Sequence, residues 1–184
     1  MRCGTVVLLM ALTIAGCGPA IAPVTTHTAP AERERRYHDG RRWVTVQVLL
    51  DRLHVERGTA AAVSGREVYL LRTPVASLAA LEDVARQMRS AQADIRALSA
   101  FIEESGPSGV RRERLTHQVA VRLAPGVEVS SLVARHGARV VDTFDDGSGI
   151  VIVEALSPDL LAAFTVAERL RTAPGVLAAI PLSE

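Results

Sequence analysis

Lysine is missing from this chain, whose 21 basic residues are all arginine and face 20 acidic ones. A balance this even excludes the basic footprint of a nucleic-acid binder. Aromatic residues are scarce, with one tryptophan, two tyrosines and three phenylalanines, too few for a platform that stacks single-stranded bases. The two cysteines, Cys3 and Cys17, supply no disulfide framework.

Reactive motifs are equally thin. No Gly-x-Ser-x-Gly elbow is present. The histidines, His27, His38, His54, His117 and His136, form no close pair, and His54 with Glu56 offers only two ligands on one strand face. Gly147-Ser148-Gly149 is too short to cradle a phosphate and precedes a strand rather than a helix. His136, Asp142 and Ser148 make a triad on paper, but the pattern places His136 at a helix end and Ser148 in a tight turn. The expectation is a protein that is not an enzyme, with no catalytic residue, no metal, no cofactor and no small-molecule substrate.

What is present begins at the N-terminus. Residues 6–14 form an apolar run too short to span a bilayer, after the basic start Met1-Arg2. Ile14-Ala15-Gly16-Cys17 then has the form of a bacterial lipobox, in which small residues admit a signal peptidase and the thiol accepts a lipid. Residues 1–16 read as a lipoprotein signal peptide, with Cys17 the lipidated first residue of a membrane-anchored, palmitate-bearing protein of the bacterial cell envelope. Residues 17–36, rich in Pro, Ala and Thr and then charged, read as a flexible tether.

The segment 115–184 carries the clearest pattern. Residues 117–124 alternate as a half-buried strand closed by Pro125-Gly126. Val129, Leu132, Val133 and His136 share a helix face, and Gly137 suits a left-handed cap. Strands at 138–144 and 149–155 flank an Asp146-Gly147 hairpin signal. Ser157-Pro158 reads as a helix start, with Leu160, Phe164, Ala167 and Leu170 as the buried stripe, and residues 176–180 make a last short strand. The order β-α-β-β-α-β predicts an α+β ferredoxin-like sandwich, both helices on one face of four antiparallel strands.

Upstream, residues 37–105 read as a smaller α+β unit. Strands are expected at 43–50, 53–55 and 66–72, a helix carries Leu78, Leu81, Val84, Ala85 and Met88, and 95–102 suits a covered strand. This β-β-α-β order leaves open a degenerate second copy of the later unit or an unrelated extension. Gly106-Pro107-Ser108-Gly109 marks the join, with 110–113 as a connector.

The residues Val119-Ala-Val-Arg-Leu-Ala-Pro-Gly-Val127, His136-Gly-Ala-Arg-Val-Val141, Ala167-Glu-Arg-Leu170 and Ala173-Pro-Gly-Val176 resemble the propeptide (inhibitor I9-like) domain of subtilisin-type serine proteases. The first half, with Tyr37-His-Asp-Gly40 and Leu50-Asp-Arg-Leu-His-Val55, looks like the N-terminal region ahead of some bacterial subtilases. The resemblance implies a sheet face that packs on protease helices and a tail, here Ala179, Ile180, Pro181, Leu182, Ser183 and Glu184, that lies in the substrate cleft. The tail is shorter than in inhibitory members, and subtilase catalytic blocks are absent from this chain. The expected function is a lipid-anchored module that chaperones or inhibits a subtilisin-like protease in trans. A non-catalytic envelope scaffold, or the remnant of a subtilase that lost its catalytic domain, is the alternative.

Overall fold

A computed structural model describes residues 30–59, 62–144 and 146–184. The expected signal peptide, Cys17 and most of the expected tether lie outside these residues. The chain runs α1 (Pro30–Arg33), β1 (Glu34–His38), β2 (Trp43–Gly58), β3 (Val63–Leu70), α2 (Leu78–Ala91), β4 (Ile95–Gly106), β5 (Gly109–Leu123), α3 (Val129–Arg135), β6 (Ala138–Thr143), β7 (Ile150–Ala155), α4 (Ala162–Arg171) and β8 (Val176–Ser183). The result is a mixed α/β chain dominated by an 8-stranded sheet whose paired strands are all antiparallel.

In the second half the strand order is β8-β5-β7-β6. The register places Val119 opposite both Val153 and Pro181, and Val121 opposite Val151 and Ala179. These rows are buried, together with Leu132 and Val133 of α3 and Phe164, Ala167 and Leu170 of α4, so the helices cover this face. Gly137 takes the left-handed conformation expected of it after α3, at φ +74°.

α4 starts later than its sequence suggests, at Ala162 rather than at Pro158. Ser157 is occupied in a local turn, its hydroxyl donating to Asp159 at 2.5 Å and accepting the Asp159 N–H. The Leu160 N–H is taken by Glu82 of α2 at 3.0 Å, and Asp159 C=O accepts from Ala162 N–H. A tertiary contact therefore supplies what a helical turn would have supplied, and Leu160 still reaches the core at 1 % exposure.

The first half has the order β1-β2-β4 with β3 on β2, which differs from that of the second half. The two strands expected at 43–50 and 53–55 are one, β2, with an irregularity against β4 between Val48 and Leu53. β1 begins at Glu34, inside the segment that composition assigns to the tether, because it closes a hairpin with β2 around Asp39, whose carboxylate accepts the Arg41 and Arg42 N–H groups at 2.8 Å. α2 is capped by Ser77 and buries Leu81 and Ala85 as its spacing predicts.

Residues 106–109 are a tight hairpin turn rather than a link between domains, and 110–113 are strand, not connector. β5 is long enough to serve both halves. It pairs with β4 over its first six residues and with β7 and β8 beyond them. One apolar cluster accordingly runs from Val44 and Val55 through Leu98 and Leu115 to Val153 and Leu170.

Candidate functional site

Strand alternation puts a second row on the face opposite the helices. Ala120 lies between Ile152 and Ile180, and Arg122 between Ile150 and Ala178. Ile150, Ile152, Ala178, Ile180 and Leu182 are half-buried, which is what neighbouring strands alone achieve without a covering layer among the described residues. Gln118, Arg122, Glu154 and Arg139 border this row, and Arg139 Nε donates to Glu154 Oε2 at 2.8 Å. α2 packs on β2 and β4, and β1 packs on β8 and α4, so neither lies over it. An apolar strip with a charged rim is the composition of a contact surface.

The residues expected to form a tail are placed in and beside β8. Ala179 and Pro181 point to the helices and are buried, while Ile180 and Leu182 belong to the open row. Ser183 pairs with Leu115, and Glu184 exchanges main-chain hydrogen bonds with Arg114 at 2.7 and 2.9 Å. The strand signal in the sequence stops at Ile180 because Pro181 interrupts it. Pro181 is tolerated because β8 pairs on one side only, with β5.

A polar cluster sits on the same face of the first half. Arg114 Nη1 donates to Glu56 Oε1 at 2.8 Å and lies 3.4 Å from His54 Nδ1, and Nη2 meets Glu184. Arg66 approaches the same Glu56 oxygen at 3.3 Å. Burial lowers the His54 pKa below the ordinary 6.5, with the Arg114 charge adding to it. Burial alone would raise the Glu56 carboxyl, but the Arg114 hydrogen bond and charge outweigh it and hold the group below its ordinary range. Arg114 thus fills the place beside His54 and Glu56 where a metal would need further ligands. Sequence reasoning missed this cluster, since 58 residues separate its main partners.

The residues of the paper triad are not brought together by hydrogen bonds. His136 ends α3, the Asp142 carboxylate accepts the Thr143 N–H, and Ser148 Oγ accepts the Ile150 N–H. Among the described residues no three His, Cys, Asp or Glu side chains are grouped as metal ligands, and no helix is long and apolar enough to cross a membrane. Comparison with protein-family models, curated proteins and solved structures returns no match for this chain.

Proposed function

We propose that this chain is a lipid-anchored, propeptide-like module, bound to the bacterial envelope through Cys17, that chaperones or inhibits a subtilisin-like serine protease acting in trans. The observation that carries the reading is the uncovered row Ala120, Ile150, Ile152, Ala178, Ile180 and Leu182 on a β-α-β-β-α-β unit with strand order β8-β5-β7-β6. We read that order, with both helices on one face, as ferredoxin-like, and the reading supports the likeness to subtilase propeptides. Contact is made by the sheet face, with Ile180 and Leu182 acting from within β8. Releasing 179–184 as a free strand would break its pairing with β5.

The test is refolding of a propeptide-less subtilisin-type protease, and peptide hydrolysis by the folded protease, each with the full chain at micromolar concentration. A higher refolding yield or slower hydrolysis is expected, lost in Ile152→Glu with Ile180→Glu. Neither effect from a folded chain overturns the reading. An envelope scaffold is the second reading, favoured by edge strand β3, which exposes Val68, Tyr69 and Leu70 beside its unpaired side.

A further inference from the structure

Arg114 donates its main-chain N–H to the Glu184 C=O and accepts the Glu184 N–H, so β8 occupies one edge of β5 there and continues along it. β4 and β7 must share the other edge. β4 leaves it after the pair Phe101 and Arg114, and β7 joins it only at the pair Gln118 and Glu154. Between those points the sheet is split, and a cleft of about 570 Å³ occupies the gap, within the size range of ligand pockets.

Two features define what the cleft accepts. Its walls include runs of consecutive residues, Arg96 to Ser99 of β4 and Thr116 to Gln118 of β5. Side chains alternate across a strand, so consecutive lining means that the cleft looks onto the strands edge-on. Along 95–100 β4 is paired with β2 on its other side, and no strand pairs with it on the cleft side. The edge is open over Ile95 to Ala97, where main-chain groups on that side can be reached, while Leu98, Ser99 and Ala100 behind them are buried.

The second feature is charge. Arg114, Arg66 and Arg139 in the cleft are matched by Glu56, Glu184 and Glu154. Arg96 and Arg89 are the excess. Among the described residues neither has a carboxylate within ion-pair distance, Arg96 is exposed, and Arg89 donates only to the Pro158 carbonyl at 2.8 Å.

We propose that this split is a binding site for an extended acidic peptide, which adds as a strand to the free edge of β4 and places a carboxylate on Arg96 and Arg89. Strand addition supplies sequence-independent main-chain bonds, and the arginines supply selection for acidic side chains through charge-assisted hydrogen bonds. The chain's own 18–33 segment is a poor occupant, since it holds arginine and little acid. The cleft shares Gln118, Arg139 and Glu154 with the rim of the apolar row but none of the row's apolar residues, so Arg96→Ala tests this proposal and Ile152→Glu with Ile180→Glu tests the other.

The experiment is fluorescence anisotropy with the full chain and a fluorescein-labelled Thr-Glu-Val-Glu-Val-Thr peptide at low salt. Saturable binding is expected, weakened tenfold or more by Arg96→Ala, by glutamine in place of both glutamates, and by N-methylation of alternate amides. Arg96 is exposed and, among the described residues, its side chain makes no hydrogen bond or ion pair, so Arg96→Ala is expected to leave the fold intact, and circular dichroism of that variant checks this. No binding at millimolar peptide, or binding indifferent to Arg96→Ala, overturns the proposal. So does equal binding of the N-methylated peptide, which would identify a carboxylate site without strand addition.

Discussion

Arg114 on β5 holds Glu56 on β2 through a 2.8 Å hydrogen bond in which each side chain is only 14 % exposed. The pair joins the strand that serves both halves to the centre of the first half. Removing Arg114 leaves the desolvated Glu56 with the more distant Arg66, at 3.3 Å, as its remaining partner, which costs more than a surface ion pair is worth. Arg114→Met is expected to lower stability by roughly 3 kcal/mol, with Arg66 offsetting part of the loss. Glu56→Leu combined with Arg114→Met should cost less than Arg114→Met alone. Urea midpoints of the two variants check this, and a double variant worse than the single would show that the pair contributes net stability.

Stability should fall on the acid side of neutrality. Burial lowers the pKa of His117, as it does that of His54, below the ordinary 6.5. Around His117 stand Glu154, Arg89, Glu56 and the backbone of Asp159, and around His54 stand Arg114, Glu56, Arg66 and Glu184. As pH drops below 6.5 the unfolded chain takes up protons that the folded chain refuses, so stability declines until the folded histidines protonate. The slope is at most about 1.4 kcal/mol per pH unit for each histidine. Glu56, with a lowered carboxyl pKa, adds a further loss below its ordinary 4.5. Glu82, raised chiefly by burial, works in the opposite sense, because its desolvation cost is relieved when it protonates. Thermal midpoints from pH 8 to pH 5 should be level and then fall, and His117→Gln should flatten the fall. A level profile through pH 5 would contradict the burial of both histidines.

Local signals carried most of the second half. Pro125-Gly126, Gly137 and the spacing of Leu132, Val133, Phe164 and Leu170 act through backbone conformation and nearest neighbours, and each stands where its pattern puts it. The start of α4 was illegible because Glu82, 78 residues away, satisfies the Leu160 N–H. The dual use of β5 was hidden for a related reason. Gly106-Pro107-Ser108-Gly109 carries equal turn chemistry whether it joins two domains or two strands, and only the register of 101–106 on 109–114 decides. The open row of isoleucines was visible as residues but not as a face, since its orientation depends on pairing.

The one tryptophan reports on both halves. Trp43 at the start of β2 has the Arg171 guanidinium, from the last turn of α4, 4.8 Å from its ring centre, and Arg36 at 5.6 Å. Because a single apolar cluster joins the halves, unfolding followed by Trp43 fluorescence should superimpose on unfolding followed by circular dichroism. Arg171→Gln should shift the folded emission while costing less than about 1 kcal/mol, as the ring is half exposed. Separated transitions would show that the halves melt independently.

Gly137 and Gly149 offer a paired test of the backbone. Both are left-handed, at φ +74° and +67°, yet their surroundings differ. A Cβ on Gly137 would meet nothing within 4 Å, whereas one on Gly149 would come within 2.8 Å of the Leu123 carbonyl oxygen. That oxygen belongs to the end of β5, and the Leu123 N–H donates to Gly149 C=O at 2.9 Å, so the two backbones are already locked together. Gly137→Ala pays only the left-handed penalty, about 1 kcal/mol. Gly149→Ala adds a steric conflict with backbone that has no rotamer to yield, and is expected to cost roughly 2–3 kcal/mol. Thermal melts of the two variants measure the difference directly. Equal losses would mean that β5 and the turn before β7 part easily, and that the end of the sheet nearest Leu123 is looser than its hydrogen bonding implies.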